Sequence, residues 1–191
     1  VTLGTPHDEL PVELGADLDL ELLEATLAAR NYSALLINAH ETSNGHLYDI
    51  EAIGAITRRH DVFFIVDAIS SVCADAFEMD SWGVDVAILS SHKALALPPG
   101  LSFVAISEKA VIRLESDRIR PGSLYFDLEN YLENQKRGQL PYTPAIGIML
   151  QLQKRLNDIH EQSLVALISQ HKERAEHFRD AIQDMPFDIL P

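Results

Sequence analysis

The 191 residues carry 29 acidic and 15 basic side chains, a formal net charge of -14 at pH 7. This balance argues against a nucleic-acid or anionic-membrane partner, because both are held mainly by basic patches. A single cysteine, Cys73, excludes an internal disulfide and a cysteine-pair metal site, and it fits a reducing, cytoplasmic setting. The apolar runs are all well short of the roughly 20 residues of a membrane-spanning helix.

In the first half of the chain, apolar runs of strand length alternate with helical spacing. Buried strands are predicted over residues 34–39, 62–66, 84–89 and 101–106, with Asp85 interrupting the third run. Helices are predicted over residues 18–30 and 49–60. Near-continuous apolar strands separated by helices are typical of an α/β fold with a mostly parallel sheet sandwiched by helices.

After residue 107 the pattern changes. A short helix is predicted over 108–115, and an irregular stretch over 116–144 includes a helix near 127–136. Two long helices are predicted over 145–160 and 163–183. An apolar stripe within them is consistent with either core or a dimer interface. Its members are Ile146, Met149, Leu150 and Leu156.

Polar side chains follow the first three predicted strands. Thr42 lies in the segment after the first strand, Asp67 directly after the second and Lys93 after the third. Ligands of open α/β sheets bind beyond the carboxyl ends of the strands. An apolar strand that runs directly into Asp67 predicts a desolvated carboxylate, which needs a cationic or donor partner.

An aspartate and a lysine on neighbouring strand ends suit pyridoxal 5'-phosphate chemistry. That cofactor needs a lysine amine to form a Schiff base and an acid to keep its pyridine nitrogen protonated. The displaced lysine can then serve as the base in proton transfer. Taken singly, such residues are more often helix caps or solvated loop residues, and their spacing alone leaves the cofactor unnamed.

Three stretches carry a family resemblance. The segment "VDAISSV" (66–72) followed by "SSHKALALPPG" (90–100) resembles the class V aminotransferases of the fold type I pyridoxal-phosphate enzymes. Alanine–glyoxylate, serine–pyruvate and 2-aminoethylphosphonate–pyruvate transaminases belong to that family. The segment "HETSNGHLYDI" (40–50) is similar to the family's Glu-Ser/Thr-Ser/Thr-x-Gly stretch. The similarity runs from about residue 18 to residue 184.

The resemblance implies cofactor-binding roles within one subunit. Lys93 would carry the Schiff base, and Asp67 would pair with the pyridine nitrogen. Ile69 would lie against the ring face, where the family has a small apolar side chain. Thr42 would form a hydrogen bond near the phenolic oxygen. His92 would contact the phosphate, at a position where relatives commonly carry glutamine.

The resemblance also implies a shared site. Thr143, in "LPYTPAIG", matches a threonine that reaches the phosphate of the neighbouring subunit, and Tyr142 is a weaker candidate beside it. The site would then be completed only in a homodimer. Residues 1–184 would form the cofactor-binding large domain without its N-terminal part, and residues 185–191 would start a truncated C-terminal small domain.

The activity implied by the resemblance is amino transfer from a small amino acid or aminophosphonate to a 2-oxo acid such as pyruvate or glyoxylate. The family's phosphate loop, its ring-stacking aromatic residue and its carboxylate-binding arginine would all lie outside this chain. We therefore expect the chain alone not to complete a transamination cycle, although its lysine can still form an imine.

Two alternatives stay open. The His92–Lys93 pair is also typical of cysteine desulfurases and related lyases of the same class, although "ALALPPG" after the lysine and Ile69 after Asp67 favour a transaminase. The other alternative is a non-catalytic fragment that keeps the fold and binds nothing.

Further residues have plainer interpretations. For His40 and His46, which bracket Thr42, surface or capping roles are favoured over substrate contact. Arg118 and Arg120 are candidates for an anionic substrate group, but a basic loop is the favoured interpretation. Tyr125 is predicted to pack.

Overall fold

The computed structural model describes residues 4–117 and 122–186. Arg118, Arg120 and residues 187–191 of the predicted small domain lie outside the described residues. Within the described part, no helix has both the length and the apolar character that a membrane crossing requires. The helices and strands are α1 (Leu20–Ala29), β1 (Ala34–Asn38), β2 (His40–Glu41), β3 (His46–Leu47), α2 (Ile50–Arg59), β4 (Phe63–Asp67), α3 (Met79–Trp82), β5 (Val86–Ser90), β6 (Ser102–Ile106), α4 (Glu108–Asp117), α5 (Leu128–Gln135), α6 (Ile146–Gln162) and α7 (Leu164–Ile182).

The main sheet has four strands in the order β1-β4-β5-β6. The β1, β4 and β5 strands run parallel, whereas β6 is antiparallel to β5. In register, Asn38 pairs with Asp67, and Asp67 pairs with Ile88. The predicted mostly parallel sheet is thus confirmed. A separate small hairpin joins β2 and β3 in antiparallel fashion.

Helices flank the sheet unevenly. Side chains alternate between its two faces, and one face buries Phe64, Val66 and Ala87 in a core shared with α1 and α2. The opposite face includes Leu36, which is 70% exposed, and Val104, which is 44% exposed. Within the described residues, the sheet therefore packs much more tightly on the side of α1 and α2.

Capping residues fix the two helices of this core. The Asp19 carboxylate accepts the backbone N–H groups of Glu21 and Leu22 at 3.0 Å, where α1 begins. Asp49 accepts the N–H of Ala52 at 2.9 Å and starts α2 in the same way. These bonds satisfy donors that the first helical turn leaves free.

The acid that interrupts the third predicted strand is a buried anchor. Asp85 is 5% exposed, and β5 begins one residue after it. Its carboxylate accepts the backbone N–H of Phe64 at 3.0 Å and the hydroxyl of Ser107 at 3.1 Å. The Lys109 ammonium lies 3.3 Å away. Asp85 therefore ties β4, β5 and the segment after β6 together.

A second apolar cluster packs α6 and α7 onto the loops that follow β4 and β5. Cys73 and Leu95 from these loops meet Ile159 of α6 and Leu167 of α7. The stripe predicted as core or interface lies elsewhere on α6, where its four side chains are 40–63% exposed. The core interpretation of that stripe is therefore wrong, and the interface interpretation stays a prediction.

We expect Gly54→Ala to destabilise the fold, because a Cβ atom at Gly54 would lie 1.9 Å from the carbonyl oxygen of Trp82. The free energy of unfolding in urea should fall by about 2–3 kcal/mol, the typical cost of overpacking. Gly147→Ala on α6 is the matched control, since no described atom lies within 4 Å of its added Cβ. It should be neutral or stabilising by up to about 1 kcal/mol. Equal stabilities of the two variants would contradict the close α2–α3 contact.

Candidate functional site

The carboxyl ends of β1, β4 and β5 meet at one edge of the sheet. Backbone hydrogen bonds continue one residue beyond the paired strand ends. The N–H of Ala39 donates to the carbonyl of Asp67 at 2.8 Å, and that of Ala68 donates to the carbonyl of Ile88 at 2.9 Å. The loops that follow the strands therefore leave the sheet from fixed, neighbouring points.

A cavity of about 320 Å³ opens at this edge. Its volume is at the small end of the range for small-molecule sites. Thr42, Asp67, Ile69 and Lys93, which the sequence placed on three different loops, share it. The complete lining is Asn38, His40, Glu41, Thr42, Asp67, Ile69, Ser70 and Lys93.

Asp67 is oriented by its own backbone. Its Oδ1 accepts the N–H of Ile69 at 2.9 Å, in an Asx-type turn. The sequence predicted a desolvated carboxylate, and this is wrong because Asp67 is exposed at the end of β4. A carboxyl group has further acceptor sites, so the turn leaves Asp67 able to take another donor.

The Thr42 loop (residues 40–47) is held by short polar contacts. The hydroxyl oxygens of Thr42 and Ser70 lie 2.9 Å apart. The Glu41 carboxylate accepts the N–H of Ser43 and the side-chain amide of Asn38, each at 2.8 Å. The contacts from Ser43 and then Asn38 hold the pKa of Glu41 below its usual range. Glu41 thus adds a stabilised negative charge to the cavity.

Lys93 lies in a loop that Ser91 closes. The buried Ser91 hydroxyl donates to the carbonyl of Pro98 at 2.7 Å and accepts the N–H of Leu101 at 3.3 Å. From α6, Arg155 donates to the carbonyl of Leu95 at 3.2 Å. These bonds hold the Lys93 loop (residues 91–101) on both of its flanks.

His92 and Thr143 are described by the structure but do not line this cavity. His92 is exposed beside Lys93. Thr143 lines a separate cavity of about 630 Å³, together with Tyr142. The ring centroid of Tyr125 lies 5.1 Å from that of Tyr142, but the residue is 60% exposed, so the packing predicted for it is only partial. The phosphate contacts of His92 and Thr143 stay predictions.

The structure also places two further side chains, His40 and Cys73, that follow β1 and β4. His40 lines the cavity with its side chain 26% exposed, and its role there stays a prediction. Cys73 is a buried, packed side chain, and burial raises the pKa of its thiol. Asn38, Glu41 and Ser70 were given no role by the sequence, although the last two belong to segments already identified as polar strand ends.

Comparison with known proteins decides the family. Residues 4–188 match the family model described as aminotransferase class-V. The chain belongs to the class-V aminotransferases. The resemblance drawn from its strand-end segments is therefore confirmed.

Class-V relatives are matched in sequence and in fold. A serine–glyoxylate aminotransferase of Arabidopsis thaliana is 34% identical over 182 residues, which cover 92% of this chain and 45% of the relative. The crystal structure of an alanine–glyoxylate aminotransferase from Nostoc sp. aligns with a TM-score of 0.85 at 24% identity, covering 91% of this chain and 46% of that one. This likeness confirms the fold type I architecture. The chain spans less than half the length of these relatives.

A cysteine desulfurase shares the architecture less closely. The structure of the Thermococcus onnurineus enzyme aligns with a TM-score of 0.70 at 19% identity, covering 93% of this chain and 44% of that one. At this identity the likeness shows the fold alone.

We expect Ser91→Ala to lower the stability of the protein by weakening the closure of the Lys93 loop. The change removes the acceptor of the Leu101 N–H and the donor to Pro98, at a cost of about 1–3 kcal/mol in the free energy of unfolding. The neighbouring Ser90→Ala is the control, because the buried Ser90 hydroxyl has no hydrogen-bond partner among the described residues. It should be neutral or slightly stabilising in the same denaturant titration. A larger loss for Ser90→Ala would contradict this account of the loop.

Proposed function

We propose that this chain carries the cofactor site of a pyridoxal-phosphate-dependent aminotransferase. The activity would move an amino group from a small amino acid or aminophosphonate to a 2-oxo acid such as pyruvate or glyoxylate. The observation that carries the proposal is the single cavity that holds Lys93, Asp67, Thr42 and Ile69. The names of the serine–glyoxylate and alanine–glyoxylate relatives support a 2-oxo acid as the acceptor.

The side chains present fit pyridoxal 5'-phosphate. Lys93 offers an amine for its aldehyde, and Asp67 keeps acceptor capacity for its ring nitrogen. The linked hydroxyls of Thr42 and Ser70 can donate toward its phenolic oxygen. Ile69 supplies apolar surface for the ring. This donor set suits the aldehyde, the ring nitrogen and the phenolic oxygen of the cofactor.

When bound, the cofactor supplies an electron sink for the charge that develops at the substrate's Cα. Asp67 would hold the proton of the ring nitrogen through a charge-assisted hydrogen bond. Lys93, in its neutral form, would take the proton from the Cα of the amino donor and return a proton during formation of the new amino acid. These are the two catalytic residues that we propose.

We also propose that a homodimer completes the site and that the protein works in the cytoplasm. Thr143, with His92, would then meet the phosphate, Thr143 coming from the neighbouring subunit. The exposed apolar side chains of Ile146, Met149 and Leu150 lie on α6 just after Thr143 and support an interface there.

The desulfurase alternative gains no specific support from the geometry. Cys73 is buried, and burial raises the pKa of its thiol and so disfavours the reactive thiolate. His92, the residue that suggested a lyase, does not line the described cavity.

Lysine labelling tests the proposal. The chain should be incubated with pyridoxal 5'-phosphate, reduced with borohydride, digested and examined by mass spectrometry. We expect the label on Lys93 and its loss in Lys93→Ala, because this lysine alone lines the cavity with the Asp67 carboxyl group. Lys172→Ala is the control, since Lys172 is exposed on α7. Equal labelling of Lys93→Ala and the unaltered chain would overturn the proposal, and no label at all would favour a non-catalytic fragment.

Turnover by the chain alone is a separate test. We expect no complete transamination, because the chain spans less than half the length of its relatives. A screen of amino donors with pyruvate and glyoxylate should therefore give no complete turnover by this polypeptide. Full-rate transamination by this polypeptide alone would contradict that expectation.

A further inference from the structure

His40 lines the cavity and also contacts a carboxylate outside the cavity lining. It belongs to β2, and its Nδ1 is buried 3.5 Å from Oδ2 of Asp75. The side chains of His40 and Asp75 are 26% and 32% exposed. A separation of 3.5 Å is long for a hydrogen bond, so the attraction depends mainly on charge. The contact is therefore strongest when the imidazole is protonated.

The pair joins two loops that line the cavity. His40 lies at the start of the Thr42 loop, and Asp75 ends the Asp67 loop (residues 67–75). The backbone at Asp75 is held in position, because its N–H donates to the carbonyl of the buried Ser71 at 2.8 Å. Thr42 and Ser70 link the same two loops through their hydroxyls. The His40–Asp75 contact is thus a second link between walls of the cavity.

The charges near His40 favour its protonated form. The Asp75 carboxylate is the main cause of a pKa for His40 above its usual value of 6.5, with burial acting in the opposite direction. The carboxyl groups of Glu41 and Asp67 and the amine of Lys93 line the same cavity as His40. A ligand that brings a phosphate adds negative charge to this set. A protonated His40 would offset part of that charge.

We propose that His40 and Asp75 form a protonation-dependent latch between the Thr42 and Asp67 loops, and that this latch strengthens binding of a phosphate-bearing pyridine ligand. His40 is then a positioning residue, and the identity of its ligand rests on the proposed function. A raised pKa stabilises the folded state fully below pH 6.5, and this contribution is lost as the pH rises through the pKa of His40 in the folded chain. The latch should therefore weaken as the pH rises above 6.5.

The first test needs no ligand. The pKa of His40 should be measured by NMR in the unaltered chain and in Asp75→Asn, which keeps the shape of the side chain and removes its charge. We expect a downward shift of the His40 pKa in the variant. An unchanged pKa would overturn the latch, since Asp75 would then have no influence on the protonation of His40.

The second test measures binding of pyridoxine 5'-phosphate, which has no aldehyde and cannot react with Lys93. Its Kd should be determined by ligand fluorescence at pH 7.0 and pH 8.5, where its phosphate is mostly in the dianionic form. The unaltered chain should bind several-fold more weakly at the higher pH. In His40→Asn, which keeps a donor near the Nδ1 position but cannot titrate, this pH dependence should be weaker, and the part that remains belongs to the ring nitrogen of the ligand.

His46→Asn is the matched control. His46 lies in the same hairpin, in β3, and its Nε2 is 3.1 Å from Oδ1 of Asp17, away from the cavity lining. It should keep the pH dependence of the unaltered chain. Equal pH dependence in His40→Asn and the unaltered chain would overturn the latch alone. Absence of binding at both pH values, together with no labelling of Lys93, would overturn both the latch and the proposed function.

Discussion

The parallel register of β1, β4 and β5 is the constraint on which the site depends. It sets Asn38, Asp67 and Ile88 level with one another, and the backbone bonds from Ala39 and Ala68 extend that alignment into the loops. Neighbouring strands are about 4.8 Å apart, so polar residues that follow successive strand ends must face a common space. At the other end of the strands, Asp85 bonds the Phe64 N–H and so resists a slip of β4 against β5. A slip of one residue would turn the side chains of a strand to the opposite faces.

Much of this architecture follows from apolar periodicity in the sequence. The four main strands lie within one or two residues of their predicted positions, because each is a near-continuous apolar run. The β2–β3 hairpin and α3 were not predicted, since elements of two to four residues are too short to show a period. The role of Asp85 was also out of reach. Its partners Ser107 and Lys109 come more than 20 residues later, so the sequence shows only an acid in an apolar run.

The candidate site also has residues that the sequence predicted and residues that it did not. Thr42, Asp67, Ile69 and Lys93 could be selected because they sit in segments that resemble a family. His40, Glu41 and Ser70 lie in the same segments, but the resemblance gives them no role. Their place in the cavity, like that of Asn38, depends on contacts formed as the chain turns after each strand. His92 shows the reverse case, a residue that the sequence selected but that lies outside the cavity lining. It is adjacent to Lys93 in sequence, yet successive side chains in a tight turn point in different directions, and His92 is exposed outside the cavity lining. The burial predicted for the Asp67 carboxylate was wrong for a related reason. An apolar run says little about the exposure of the residue that ends it.

The loops around the cavity are held with unequal strength. The Lys93 loop is closed by the fully buried Ser91 and packed by the α6–α7 cluster, so its opening would leave backbone groups unpaired at a cost of about 1–3 kcal/mol each. Among the described residues, the contacts between the Thr42 loop and the Asp67 loop include a hydroxyl pair and a partly exposed ion pair, each worth about 1 kcal/mol or less. The lysine side of the cavity is therefore the rigid one. Movement that admits a ligand should come from the Thr42 side, where the smaller free energies leave the loop able to adjust.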